Sequence, residues 1–427
     1  MQAKLIEEQA VKIAAFNGIE VFIIKSGKFK TNSINIFFLD NLSKENAAKN
    51  ALVPAVLRRG SKGHTSFRDM ALYLENLYGA SFDCGVSKKG EQQIAQFYID
   101  FLSDTYAERN SGQLDKTLKL LLEVITDPYL ENGRFSKDYI TQEKENLSKL
   151  IESRVNDKMQ YSLDRCFEEM CSEEPFGVYE YGTVSDVAAI DGESLYQQYL
   201  KMIGTFPAQV YLAGDFSDSM TEKAIEALKT LKRGNIMSTG MGQAVKEVKS
   251  VKNITDHMNV NQSKLCLGLR TNIPPDSADY NALMLCNGIL GGGMHSKLFQ
   301  NVREKASLAY YTFSRLEKFK GLMVMSAGIE AGNRDKTLEI MMKQLEDIKK
   351  GDISDYEHTS TLKTLETGFK SIRDSQMQMV DFYLGRNMTG NTESIDDTIE
   401  KLKKVKKEDI VRVANNIKLD TIYFLTE

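Results

Sequence analysis

One order of strands and helices occurs twice in this chain, and that repetition limits its possible folds more than any other feature. In the first half, 33–39 reads as a β-rich strand bounded by polar residues. An apolar helical run follows at 47–57, then a helix at 67–78 stopped by Gly79. Strands are expected at 81–87 and 93–102, the second with Ala95, Phe97, Ile99 and Phe101 on one face. An amphipathic helix at 114–125, a long polar helix at 137–154 and a strand at 209–213 complete the half. The second half repeats the series. Its strand is 263–269, its apolar helix 280–290, its next helix 297–305, and its strand pair 308–314 and 322–329. An amphipathic helix at 335–348, a long helix from Asp355 and a strand at 421–425 follow. The offset falls from about 230 to about 212 along the series, so order is kept while loop lengths differ.

A chain of 427 residues also exceeds a single core, which stops growing near ~250–300. The expected fold is α+β: two homologous α/β-roll halves, 1–230 and 254–427, each a mostly antiparallel sheet covered by helices, forming a clamshell. Residues 231–253, rich in Lys, Gly, Ser and Thr with no apolar period, read as an exposed linker. A cleft between halves is a favoured ligand site.

Hydrophobic residues at 42% and charged residues at 27% describe an ordinary globular mixture, and a net charge of −4 argues against nucleic acid or an anionic membrane as partner. There are only four histidines, His64, His257, His295 and His358, none closer than 38 residues to the next. Paired-histidine zinc motifs such as H-E-x-x-H and H-x-x-E-H are therefore ruled out. Five cysteines without a C-x-x-C point to a reducing compartment. The first residues show no apolar signal segment, and 280–296 is too short and polar to span a bilayer, so a cytoplasmic protein is expected.

The segment from Ile289 to Tyr310 combines Gly291-Gly292-Gly293, Ser296-Lys297-Leu298-Phe299, Arg303-Glu304-Lys305 and Tyr310, seven residues after the arginine. It resembles the second-half motif of the pitrilysin/insulinase family of zinc peptidases, which includes the mitochondrial processing peptidases. The resemblance extends over the chain, through Asp127-Pro128 and Gln142-Glu143-Lys144-Glu145. It implies an H-x-x-E-H motif on the apolar helix of the first half. Anchoring on Gly60 puts Ala51, Pro54 and Ala55 in place of the two histidines and the glutamate. Glu143 corresponds to the third zinc ligand. A catalytic zinc needs three protein ligands and an open position, and one carboxylate does not hold it. No zinc is expected on this chain, and no metallopeptidase activity of the chain alone. Pro54 adds a structural expectation: the helix starts near Val53 or kinks there.

The resemblance gives Arg303 and Tyr310 a role in holding the substrate backbone and stabilising charge on the attacked carbonyl. In 308–314, Ala309, Tyr311 and Phe313 read as one apolar face, with Tyr310, Thr312 and Ser314 on the polar one. The plainer alternative is a surface ion pair and a strand tyrosine. For Glu143 the plain reading, a solvated helix residue, is preferred. His64 reads as a turn residue ahead of a helix, and His295 as a neighbour of the glycine loop that could face the cleft. Gly291-Gly292-Gly293 fits neither phosphate-loop pattern and reads as a flexible or tightly turned loop lining the cleft. The run from Lys401 to Lys407 reads as a solvated helix face.

Bacterial members of the family include pairs in which one chain carries zinc and the other supplies the arginine and tyrosine. This sequence resembles the zinc-less member of the pair associated with 5-aminopentanol modification of elongation factor P. The expected function is that of a non-catalytic, substrate-binding subunit whose homologous partner supplies zinc. The alternative is a catalytically silent homodimeric scaffold or peptide-binding protein in a modification system.

Overall fold

The computed structural model describes residues 8–108 and 111–427. It divides into two compact units. One comprises the chain to Glu152, Val178–Gly240 and Arg373–Gly385, and the other Ser153–Gly177, Met241–Ile372 and Arg386–Glu427.

The first unit is built on a six-stranded sheet. Its order is Ala10–Phe16, Ile19–Lys25, Ala208–Gly214, Thr31–Asn41, Gln92–Leu102 and Ser81–Lys89. All neighbours are antiparallel except Ile19–Lys25 with Ala208–Gly214. Period-two alternation sends Ile34, Ile36, Phe38, Phe97, Ile99, Val210 and Leu212 to one face, where they meet Leu52, Val53, Leu121, Val124 and Met202 from helices. The helix Gln376–Met388, drawn from the far end of the sequence, contributes to this unit. Gln376 Nε2 donates to the Thr31 carbonyl at 2.6 Å, and the Tyr383 hydroxyl donates to the Glu8 carbonyl at 3.0 Å.

The second unit has a five-stranded sheet in the order Ala309–Glu317, Leu322–Ile329, Ser263–Arg270, Lys418–Thr426 and Lys252–His257. Only the last pair is parallel. Leu265, Leu267 and Leu269 pack with Met323, Met325 and Ala327 against Leu283, Ile289, Leu290, Leu345 and Val413. On the other face Cys266, Val324, Tyr423 and Leu425 meet Leu163 and Cys166 of the helix Lys158–Met170. That helix seats closely because Gly268 has no side chain: a Cβ there would lie 2.9 Å from Met170 Sδ and 3.1 Å from Cys166 Sγ.

The apolar helix of the first half spans Ala47–Leu57 and runs through Pro54. The expected start near Val53 is thus corrected. Ala47, Ala48, Ala51, Leu52 and Val53 are all buried ahead of the proline, and their burial outweighs its cost. A buried polar network also fixes this stretch. Asn50 Nδ2 donates to Asp40 Oδ2 at 2.9 Å and to Gln93 Oε1 at 2.9 Å, while Gln198 Nε2 donates to Asn50 Oδ1 at 2.6 Å.

The segment read as an exposed linker forms no helix or strand from 231 to 251, yet it is tied down. In the first unit the Arg233 guanidinium donates to the Ile203 and Phe206 carbonyls and covers the Phe38 ring at 5.6 Å. In the second, Lys320 Nζ donates to the Gln243 carbonyl at 2.7 Å. Composition marks the segment as polar but does not show which carbonyls hold it.

Candidate functional site

Ala51, Pro54 and Ala55 lie on the Ala47–Leu57 helix, with Ala51 and Pro54 buried. None of their side chains has a ligand atom. The Pro54 carbonyl accepts from the Cys84 thiol at 3.0 Å. Burial pushes that thiol up to about 12, so it stays protonated. Glu143, on the helix Lys137–Ser153, is buried rather than solvated, which corrects the plain reading. It is buried because Arg59 meets it: Nε donates to Glu143 Oε1, Nη2 completes the ion pair, and Asn146 Nδ2 donates to the same oxygen at 3.3 Å. The residues present do not fit zinc. Among the described residues, no three His, Cys, Asp or Glu side chains are grouped to hold a metal ion.

Arg303 and Tyr310 are placed by two irregularities in the second unit. The expected helix at 297–305 is instead a π-helical turn, Phe299–Lys305, which carries Arg303. Its guanidinium lies 4.8 Å from the Phe299 ring centroid and is partly exposed. The chain then passes Ser307 in a left-handed conformation, φ 52°, and enters the edge strand Ala309–Glu317. Ala309 pairs with Ile329 and Tyr311 with Gly328, so Tyr310 is the extra residue of a β-bulge. Its side chain is 75% exposed.

The bulge overturns the expected faces of this strand. Thr312 and Ser314 are buried, and Ser314 Oγ donates to the Asn287 carbonyl at 3.0 Å. Tyr311 and Phe313 stack on each other on the opposite face, the one covered by the Lys158–Met170 helix. One inserted residue reverses the parity of everything after it. Tyr310 faces outward as expected, without Thr312 and Ser314 beside it.

The three glycines are not a loop of free conformation. Gly291 ends the helix Tyr280–Gly291, and none of the three takes a left-handed φ. A Cβ on Gly291 would lie 2.2 Å from the Ser314 amide nitrogen, and one on Gly292 would lie 2.6 Å from Gly288 Cα. Close packing requires them. His295 Nε2 is 2.8 Å from Thr361 Oγ1, within the second unit. His64 sits in the turn before the Phe67–Glu75 helix, its amide donating to Ser61 Oγ at 3.2 Å.

Comparison with known proteins shows the family and the fold. The family model for the peptidase M16 inactive domain matches residues 189–365. A Bacillus subtilis (strain 168) protein named probable inactive metalloprotease YmfF is 36% identical over 411 residues, covering 96% of each chain. The chain belongs to the M16 peptidase family. This is the pitrilysin/insulinase family whose motif is carried by Gly291 to Tyr310. A crystal structure of a conserved protein from Enterococcus faecalis V583 superposes with TM-score 0.90 at 28% identity, over 98% of both chains. An M16 inactive domain from Pseudomonas fluorescens superposes with TM-score 0.81 at 20% identity, over 98% of both, and shows the shared fold. No helix among this chain's described residues is long and apolar enough to cross a membrane. Sequence reasoning missed Arg59; its only signal was a cation four residues past the erased motif.

Proposed function

We propose that this M16 chain is a non-catalytic, substrate-binding subunit of a two-chain zinc peptidase that acts on peptides in the cytoplasm. A homologous partner supplies zinc and the general base. This chain supplies Arg303 and Tyr310 and a wall for an extended peptide. One observation carries the reading. Arg303 and Tyr310 are displayed on a π-turn and a bulge, while Glu143, the position matched to a zinc ligand, is held in an ion pair with Arg59.

Tyr310 at 75% exposure adds little to the core, so its position favours contact with another molecule. Its hydroxyl donates one hydrogen bond and the Arg303 guanidinium offers a planar fork of donors. A donor of this kind at a developing oxyanion contributes roughly 3 kcal/mol to a transition state. Ala309–Glu317 is an edge strand, so a peptide adds alongside it through main-chain hydrogen bonds.

The test is reconstitution. The purified chain is mixed with its zinc-bearing homologue, the complex is sized by analytical ultracentrifugation, and hydrolysis of an unstructured peptide is followed. A one-to-one complex that cleaves when neither chain alone does supports the proposal. A stable homodimer that ignores the homologue and yields no hydrolysis contradicts it and favours the scaffold alternative.

A further inference from the structure

Of the positions matched to the former metal site, Glu143 alone keeps a ligand atom, and that carboxylate is engaged. Its side chain is 6% exposed, so it has left water and needs a compensating cation. In a metal-bearing relative the ion would supply that charge. Here Arg59, four residues after Ala55, directs Nε and Nη2 to Oε1, and Asn146 adds a donor at 3.3 Å. A guanidinium suits this position because it is always charged, less strongly hydrated than an ammonium, and planar. The Pro54 carbonyl, Cys84 and Glu143 belong to one neighbourhood, because Cys84 bonds to the first and feels the charge of the last.

We infer that the Arg59 guanidinium is a built-in replacement for the metal ion, compensating Glu143 and keeping divalent cations out of the first unit. A cation approaching Glu143 meets a positive charge and an oxygen that already accepts from two residues. The inference rests on placing the former metal position at Ala51, Ala55 and Glu143, and does not depend on Arg303 or Tyr310.

The experiment restores the lost ligands in the full chain with Ala51→His, Pro54→Glu and Ala55→His, with and without Arg59→Ala. Zinc per chain is measured by elemental analysis after gel filtration, and folding by circular dichroism. The expected result is almost no zinc while Arg59 is present and about one zinc per chain once it is removed. About one zinc with Arg59 present would overturn the exclusion. Folded protein with no zinc in either variant would overturn the placement of the metal position, and the inference with it. A second measurement avoids the rebuilt motif. Arg59→Leu is expected to lower Tm by roughly 6–12 °C, and adding Glu143→Leu to recover most of that loss. A double variant no more stable than Arg59→Leu would overturn charge compensation. Neither outcome touches the peptide-binding reading, which the reconstitution assay tests separately.

Discussion

Arg303 and Tyr310 stand seven residues apart, and each sits on a departure from regular structure, the first on a π-turn and the second on a β-bulge. Such irregularities re-aim side chains and are frequent at functional sites. The substrate-holding role proposed for Tyr310 requires little of it in packing. Tyr310→Ala should change stability by no more than about 0.5 kcal/mol, because the ring is 75% exposed. Chemical denaturation checks this, and a larger loss would make Tyr310 a packing residue.

Glu174 joins three cations in the second unit: Lys246 at 2.8 Å, Arg270 at 2.7 Å and Lys320 at 2.8 Å. Arg270, which also holds Asp420 at 2.8 Å, and Lys320 are each 1% exposed. Glu174→Gln should cost about 3–5 kcal/mol by removing the carboxylate that Lys246, Arg270 and Lys320 share. Burial alone would raise the Glu174 carboxyl, but hydrogen bonds from Lys246, Lys320 and Arg270 pull it down to about 2. A depressed folded pKa gives stability that is complete above the ordinary carboxylate value and lost as pH falls. The wild type should therefore lose this contribution between roughly pH 4.5 and 2, and Glu174→Gln should show a shallower decline there. Parallel pH profiles of Tm decide it.

The glycine triplet separates packing from flexibility. Gly291→Ala drives a Cβ to 2.2 Å from a backbone nitrogen, whereas the nearest contact for Gly293→Ala is His295 Cε1 at 3.3 Å. The first should cost roughly 1–3 kcal/mol and the second much less. Equal effects in thermal melts would contradict the close-packed account.

How much of this was legible in the sequence depended on whether a signal was local. The apolar run at 47–57 and the alternation of Ala95, Phe97, Ile99 and Phe101 gave their elements correctly, because burial of one face leaves a period. The faces of 308–314 were misread because one inserted residue at Tyr310 reverses the period without changing composition. The π-turn at Phe299–Lys305 leaves no composition mark either. Glu143 looked solvated because its partner, Arg59, lies 84 residues away in the chain. The seat of the Lys158–Met170 helix on the second unit's sheet was equally hidden, since sequence order places it in the first half.

Pro54 tests how firmly the first-half helix is held by its surroundings. Pro54→Ala should recover about 3 kcal/mol of helix cost and lose about 1.6 kcal/mol of buried methylene contact. The net gain of about 1 kcal/mol should appear as a higher Tm. A lower Tm would mean that the proline ring is needed for packing.

The central claim, that this chain supplies the substrate-holding half of a divided site, is tested most directly by peptide cleavage in the mixture with its zinc-bearing homologue. The measurement compares kcat/KM for wild type, Arg303→Ala and Tyr310→Phe at saturating complex. The account predicts a loss of about tenfold or more in each variant, with complex formation unchanged. Full activity in both variants would contradict it.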